Sequence, residues 1–183
     1  MTRLAEAMTI AATLHAKQRR KGTEIPYIAH LMSVSALVME FGGDEDQAIA
    51  GLLHDVLEDV GAEHEAMIAE RFGPRVAGIV RACTDADVLP KPPWRARKES
   101  YLAHLETAEP DALLVSLADK VHNARAILLD VRTHGAAVYD RFKGGREGTL
   151  WYYAALSEAF TRLLPGPLAD ELARTVEALQ KAG

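Results

Sequence analysis

The segment LLHDVLEDV, residues 52–60, places four ionisable side chains within an otherwise apolar, helix-forming stretch. Side chains that are three or four positions apart lie on the same face of a helix. In a continuous helix, His54, Asp55 and Glu58 therefore point to one side, and Asp59 flanks them. An imidazole and carboxylates that meet at a helix edge are suited to hold a divalent metal beside a general base. A solvated acidic helix end is the alternative interpretation of this segment taken alone.

The sequence around this segment is helical in pattern along the whole chain. Apolar residues recur at helical spacing, and there is no sustained alternation of the kind that is typical of strands. Asp44 is the expected cap of the helix that carries LLHDVLEDV, and this helix is predicted to end at Gly61. A proline-rich loop, DADVLPKPPW (85–94), precedes a basic helix, WRARKESYLAHLE, and a Gly-rich break, KGGREG (143–148), precedes the helix TLWYYAALSEAFTRLL. The sequence therefore predicts an all-α fold of roughly eight to ten helices.

Composition narrows the class of protein. The chain has 183 residues, of which 49% are hydrophobic, and this is enough for one compact domain spanning residues 1–183. A net charge of −5 argues against a surface built to bind nucleic acid. The single cysteine, Cys83, cannot form an internal disulfide, and Glu6 interrupts the apolar N-terminal run, so no signal peptide is expected. No apolar run approaches the length of about 20 residues that a membrane-spanning helix needs. A cytoplasmic protein without membrane or nucleic-acid partners is expected.

Two further ionisable residues interrupt apolar helices. His30 lies in YIAHLMSVSALV, and Asp119 lies in LLVSLADKVHNARAILL. Because a buried carboxylate without a partner is costly, Asp119 needs a cation or several hydrogen bonds. With His54 and Asp55, these residues supply two imidazole nitrogens and two carboxylates, a donor set that suits manganese, magnesium, iron or zinc. His122, one turn after Asp119, is a rival ligand, but a supporting or core role is expected for it.

The ordered set His30, His54–Asp55 and Asp119 resembles that of the HD-domain metal-dependent phosphohydrolases. Three strings narrow the resemblance: QRRKGTEIPYIAH (18–30), LLHDVLEDV and SLADKVHNARAI (116–127). Each is similar to the hydrolase half of the RelA/SpoT alarmone enzymes and to the single-domain small alarmone hydrolases. These strings cover the first two thirds of the chain, and LPKPPWRARK and GREGTLWYYAALSEAF resemble the stand-alone bacterial members.

This resemblance implies an all-helical HD-type hydrolase that removes pyrophosphate from the 3′ position of guanosine tetra- or pentaphosphate, (p)ppGpp. Manganese is the implied metal. The implied ligands are His30, His54, Asp55 and Asp119. The family's catalytic pair corresponds to Glu58 and Asp59, with Glu58 as the general base and Asp59 orienting it or the attacking water.

Cationic and amide side chains near these motifs are the predicted substrate-binding groups. They are Arg20, Lys21, Lys120, Asn123, Arg97 and Lys98. Arg20, Lys21 and Asn123 fall within the family-like strings, at positions used for base and phosphate contacts. Surface solubility is the alternative for each cation, and for Arg97 and Lys98 the two interpretations are evenly balanced. Tyr152 and Arg146 are further candidates for the pocket, although a core role is common for a Trp-Tyr-Tyr segment.

Some features depart from the family pattern or leave alternatives open. Leu31 stands where a proline commonly follows the first metal histidine, and the first loop is short, so recognition of the base by this loop is open. No synthetase region is present, so the protein is expected to degrade the alarmone and not to make it. The main alternative is an HD phosphohydrolase for another nucleotide, such as adenosine alarmones or NADPH. A nucleotide sensor without turnover and a structural helical protein fit less well. A homo-oligomer is compatible with the sequence.

Overall fold

The computed structural model describes residues 2–84 and 92–182. In these ranges the chain forms ten α-helices, one 3-10 helix and no strand. The helices are α1 Arg3–Leu14, α2 Ile28–Glu40, α3 Glu45–Leu53, α4 Val56–Asp59, α5 His64–Phe72, α6 Pro74–Cys83, α7 Trp94–Leu105, α8 Pro110–His134, α9 Gly145–Leu163 and α10 Pro167–Lys181, with the 3-10 helix Ala136–Arg141 before α9. The all-α prediction is confirmed. Most of the predicted loop 85–94 lies outside the described residues.

The segment LLHDVLEDV does not form one continuous helix, and this prediction is wrong. Helix α3 ends at Leu53, and α4 begins at Val56. Between them, the ring nitrogen Nδ1 of His54 donates to the carbonyl oxygen of Gly51 at 2.9 Å. Asp55 has φ −96° and ψ −2°, outside the usual helical range. The break turns the His54 and Asp55 side chains toward the interior, where α2 and α8 face them.

Helices α2, α3 and α8 pack together around this break. A Cβ atom added to Gly51 on α3 would lie 3.1 Å from the Cα atom of Ser35 on α2, so the two backbones are in close contact. The Ser35 hydroxyl donates to the carbonyl oxygen of Ala48 at 2.8 Å, which ties the same two helices. Asp44 caps α3 through a reciprocal pair of hydrogen bonds with Gln47, as expected for this position. The site's first helices are thereby fixed relative to each other.

Helix α9 begins earlier than the sequence pattern predicts. The segment KGGREG was expected to be a break, but α9 starts at Gly145, inside it. The Trp94 ring lies over Gly144 and Gly148, where an added Cβ would approach the ring to 2.7 Å and 3.0 Å. These glycines therefore give room for an aromatic ring from α7. In the described ranges, no helix is both long and apolar enough to cross a membrane.

Candidate metal centre and adjoining cavity

Four side chains from three parts of the chain converge at the α3–α4 break. The donor atoms of His30, His54 and Asp55 lie within 4.8 Å of one another. Nε2 of His30 is 3.2 Å from Oδ1 of Asp119 and 3.6 Å from Oδ2 of Asp55. Nε2 of His54 is 3.1 Å from Oδ2 of Asp55 and 3.6 Å from Oδ1 of Asp119. The structure thus brings together all four predicted metal ligands.

The two histidines point unsatisfied nitrogens at these carboxylates. Nε2 of His30 and Nε2 of His54 are buried, and neither has a hydrogen-bond partner among the described residues. Adjacent ligands of an octahedral ion with bonds of about 2.1 Å lie about 3 Å apart, close to the measured separations. Two imidazole nitrogens and two carboxylate oxygens in this arrangement fit a divalent metal.

The opposite ring nitrogens fix the orientation of both imidazoles. Nδ1 of His54 donates to the Gly51 carbonyl, so Nε2 is the nitrogen left for a ligand bond. Nδ1 of His30 lies 2.8 Å from Nδ1 of His122. Burial, with the positive charges nearby, lowers the pKa of His122 to about 4, so this ring is neutral and can accept the His30 proton. His122 therefore contacts the predicted ligand His30 through the ring nitrogen that faces away from the carboxylates.

Mutual electrostatics shift the pKa values of His54, Asp55 and Asp119. Burial alone lowers the pKa of His54, but the carboxylates of Asp55 and Asp119 outweigh it and raise the pKa well above the ordinary value. Burial alone raises the pKa of Asp119, but Lys120 and the two histidines hold it well below the usual range. The pKa of Asp55 is also well below its usual range, because His54 and His30 outweigh burial. The proton that the carboxylates stabilise on His54 thus balances part of their negative charge.

Several partners of the ligands were not identified from the sequence. The Tyr27 hydroxyl donates to Oδ2 of Asp55 at 2.6 Å. The side-chain amide of Gln18 donates to Oδ2 of Asp59 at 2.7 Å. The side-chain oxygen of Gln18 is hydrogen-bonded to Nδ1 of His15. The His15 ring stacks on the Tyr27 ring, with centroids 5.3 Å apart. Tyr27 lies three residues before His30 on the helical pattern, which is the one sequence signal that pointed to it. Nothing local in the sequence pairs Gln18 with Asp59.

The predicted catalytic carboxylates lie on α4, directly after the ligand pair. Glu58 is half-buried, whereas Asp59 is exposed. The surrounding protein and the negative charge of Asp55 raise the pKa of Asp59. The break therefore puts both carboxylates on an element separate from α3, within four residues of Asp55, whose charge acts on Asp59.

A cavity of about 360 Å³ adjoins this centre. Four predicted substrate-binding residues line it: Arg20 and Lys21 from the first loop, Lys98 from α7 and Asn123 from α8. Tyr152 also lines it. The other walls are largely aromatic and aliphatic, formed by Ile25, Tyr27, Trp94, Ala126, Ile127, Leu129, Phe142 and Tyr153, with Thr23, Asp130 and Thr149 adding polar groups. Cations combined with flat apolar walls suit a phosphorylated aromatic molecule.

Three predicted contacts lie elsewhere. Lys120 is buried behind Asp119, with Nζ 2.6 Å from its Oδ2 and 4.7 Å from the centroid of the Tyr101 ring. Arg97, half-buried on α7, and Arg146, on α9, do not line the cavity among the described residues. Lys120 therefore pairs with the predicted ligand Asp119 and does not line the cavity.

The cavity and the metal centre share a chain of hydrogen bonds. Arg20 donates to the side-chain oxygen of Asn123 at 2.6 Å, and the amide group of Asn123 donates to Oδ1 of Asp119. The first loop is held in place by antiparallel bridging between Arg19 and Pro26. A molecule that contacts Arg20 in the cavity is thus two hydrogen bonds away from a ligand of the metal centre. The arrangement is suited to hydrolysis of a phosphate ester at the junction of cavity and centre.

Comparisons with known proteins agree with this geometry. A family model described as HD domain matches residues 7–150. Guanosine-3′,5′-bis(diphosphate) 3′-pyrophosphohydrolase MESH1 of Xenopus tropicalis is 41% identical over 123 residues, which are 66% of this chain and 66% of that protein. The protein of the same name from Drosophila melanogaster is 37% identical over 131 residues, 70% of this chain and 71% of that protein. The chain thus aligns with about two thirds of the length of each of these relatives.

A solved structure extends the likeness to the whole fold. It is described as a metazoan ortholog of SpoT that hydrolyses ppGpp and plays a role in starvation responses. It superimposes with a TM-score of 0.80 at 28% sequence identity and covers 97% of this chain and 95% of that one. With the family match over residues 7–150, these likenesses confirm the resemblance that the motifs indicated. The chain belongs to the HD domain family.

Proposed function

We propose that this protein hydrolyses guanosine 3′,5′-bis(diphosphate) and related 3′-diphosphate alarmones, and releases pyrophosphate from the 3′ position. The relatives named for this reaction support the proposal. The observation that carries it is the meeting of two unsatisfied histidine nitrogens with two carboxylates at the end of a cation-lined cavity. The function rests on one domain spanning residues 1–183 and acting in the cytoplasm.

Manganese is the proposed metal, held by His30, His54, Asp55 and Asp119. The mixture of imidazole and carboxylate donors suits manganese, which accepts both. When bound, the ion supplies Lewis acidity to a phosphate oxygen and lowers the pKa of water. The ligands themselves are held by Tyr27, Gly51, His122 and Lys120, so the donor atoms stay in place when the ion exchanges.

In this proposal, Glu58 accepts the proton of the attacking water, and Asp59 orients the water or Glu58. The half-buried position of Glu58 beside the ligand pair favours it as the base. The hydrogen bond from Gln18 holds the Asp59 carboxylate in one orientation. The products are GDP and pyrophosphate: the bond between the 3′ phosphorus and the ribose oxygen breaks, the hydroxyl of water goes to that phosphorus, and the proton of the water goes to the ribose oxygen.

The cavity residues place the substrate. Arg20 lies 5.8 Å from the Tyr27 ring centroid and offers a planar cation against which a base can stack. Lys21 and Lys98 carry mobile charges for phosphate, with their Nζ atoms 5.7 Å and 4.9 Å from the ring centroids of Phe142 and Tyr152. Binding the base and the 5′ phosphates in the cavity leaves the 3′ phosphorus at the metal centre. The bond that is broken is therefore selected by how the cavity positions the substrate.

The product profile tests this proposal. Guanosine tetraphosphate is incubated with the protein and manganese, and the products are separated by anion-exchange chromatography. We expect GDP and intact pyrophosphate in equal amounts. Orthophosphate as the first product, or no attack on any 3′-diphosphate nucleotide together with rapid attack on NADPH or another phosphoester, would reject the alarmone substrate.

A Glu58→Gln variant tests the assignment of the base in the same assay. Its rate should fall on the order of 10²-fold or more, because the proton acceptor is removed while the shape is kept. Manganese content and nucleotide affinity should stay close to those of the unaltered protein. Loss of the metal would instead identify Glu58 as a ligand, and an unchanged rate would exclude it from the proton transfer.

A further inference from the structure

One face of α8 carries polar groups at a spacing that extends from the metal centre to the far end of the cavity. Asp119, Asn123 and Asp130 follow one another at intervals of four and seven residues, which keeps them on one side of the helix. Ala126 and Ile127 lie between Asn123 and Asp130 and also line the cavity. Eleven residues of helix span about 16 Å. This is comparable with the reach from a metal bound beside a 3′ phosphate to a group that contacts the outer edge of the base.

Asp130 is a carboxylate with one oxygen committed and one available. Its Oδ2 accepts from Arg141 at 2.8 Å, and 28% of its side-chain surface is exposed. Its Oδ1 takes no hydrogen bond from the part of the chain that the structure describes. Because Arg141 holds one oxygen, the carboxylate of this cavity-lining residue is restrained before a ligand binds, which lowers the side-chain entropy lost on binding.

The Asp130–Arg141 pair is built into the same wall as the first loop. An added Cβ at Gly22 would lie 2.6 Å from Cδ of Arg141, and Gly22 has φ +71°, a conformation that favours glycine. The loop that carries Arg20 and Lys21 therefore packs directly on the Arg141 side chain. Phe142, next in sequence, lines the cavity opposite Lys21. The Asp130 carboxylate and the cations Arg20 and Lys21 are therefore parts of one continuous cavity wall.

We propose that Asp130 reads the Watson–Crick edge of the base and gives this site its preference for guanine over adenine, an inference that rests on the proposed nucleotide function. Guanine presents two adjacent donors at this edge, N1–H and the 2-amino group. Adenine presents an acceptor, N1, beside its 6-amino donor. A carboxylate oxygen can only accept, so Oδ1 of Asp130 can accept from the two adjacent guanine donors, whereas it would meet the lone pair of adenine N1.

An Asp130→Asn variant should present a hydrogen-bond donor to the base where the unaltered protein presents an acceptor. Arg141 can only donate, so the amide oxygen of the variant must face Arg141 and the amide nitrogen must face the cavity. The cavity then offers a donor where guanine also offers donors. Affinity for guanine should fall, and affinity for adenine should hold or rise.

The experiment measures binding of GDP and ADP to the manganese-loaded protein by titration calorimetry. The unaltered protein should bind GDP more tightly than ADP by about 10- to 100-fold, the discrimination expected of a paired contact to a base edge. Asp130→Asn should reduce this ratio at least about tenfold. Asp140→Asn is the matched control, because Asp140 is an exposed carboxylate next to Arg141 that does not line the cavity. It should leave the ratio unchanged.

A measurement without any variant guards against a folding defect. Inosine diphosphate keeps N1–H and lacks the 2-amino group, so it should bind the unaltered protein more weakly than GDP and more tightly than ADP. The inference is overturned by equal affinities for GDP and ADP, by no binding of either, by GDP and inosine diphosphate binding equally, or by an unchanged ratio in folded Asp130→Asn. A clear guanine preference without hydrolysis of guanosine tetraphosphate would reject the proposed reaction and leave the role of Asp130 standing.

Discussion

Each side chain of the candidate metal centre is held by a second group that does not face the metal. Tyr27 holds Asp55, Lys120 and Asn123 hold Asp119, and the Gly51 carbonyl holds His54. Such partners restrict rotation and so reduce the entropy that a metal must remove on binding. They also keep two carboxylates ionised at close range, because each retains a donor or a cation.

Removing the Tyr27 hydroxyl tests this support. Burial and the adjacent Asp55 charge raise the pKa of Tyr27 far above its usual range, so the hydroxyl is a permanent donor to Asp55. Tyr27→Phe should weaken manganese affinity about tenfold or more without unfolding the protein. The measurement is a metal titration with a competing chelator. Tyr139→Phe is the control, since its buried hydroxyl has no hydrogen-bond partner among the described residues, and it should leave the affinity unchanged.

Protonation of His54 makes metal binding depend on pH. The neighbouring carboxylates outweigh the effect of burial and raise its folded-state pKa, so the metal-free protein holds this proton at pH 7. A ligand imidazole must be neutral at the bonding nitrogen, so binding releases this proton throughout the pH range below the raised pKa. Affinity should therefore fall as the pH is lowered through this range. Calorimetry in two buffers of different ionisation enthalpy would show the release, and identical apparent enthalpies would contradict it.

At the scale of elements, the separation of the two ligand histidines depends on how closely α2 and α3 pack. The rings of His30 and His54 have centroids 5.3 Å apart, and Gly51 lies against the Ser35 backbone one turn before His54. Since that neighbour is backbone and not a flexible side chain, it cannot rotate out of the way. The close helix contact thus sets the width of the metal centre.

A Gly51→Ala substitution should move α2 away from α3 and so widen the candidate metal centre. The added methyl group must move α2 by a few tenths of an ångström, at a cost of about 1–3 kcal/mol for overpacking, which offsets the gain in helix propensity. We expect a lower melting temperature and weaker manganese binding. Gly78→Ala on α6 is the control, because its Cβ would meet nothing within 4 Å. It should gain up to about 1 kcal/mol in stability and keep the metal affinity. If the two variants had the same melting temperature and manganese affinity, the contact between Gly51 and Ser35 would not determine the width of the candidate metal centre.

The sequence singled out the residues that converge at the α3–α4 break more readily than the elements that hold them. His30 and Asp119 stand out because ionisable groups are expensive in apolar helices, and this cost depends on residue type alone. The break after Leu53 carries no Gly or Pro, so no local rule marks it, and the predicted continuous helix was wrong. Gln18, Tyr27 and Asp130 could not be assigned their contacts, because these depend on how distant helices pack.

At the scale of the molecule, the metal would act as a cross-link between α2, the α3–α4 break and α8. A ligand that binds only the folded state at about 100 times its dissociation constant adds about 2.7 kcal/mol of stability. For a chain of this size, that corresponds to roughly 5–10 °C in melting temperature. Scanning calorimetry with manganese and with a chelator measures this difference. His54→Ala should abolish it, and a chelator effect that persists in this variant would place the metal elsewhere.

The spacing of the ligands along the chain also has a kinetic consequence. Positions 30, 54, 55 and 119 come together only after α8 has packed against α2 and α3. A partly folded chain in which α8 is still detached offers His30, His54 and Asp55 alone, so the ion stabilises the chain fully only once α8 has packed. We expect α8 to pack after the transition state, in which case bound metal leaves the refolding rate nearly unchanged and slows unfolding. The ion then sets how long the native state lasts rather than how quickly it forms.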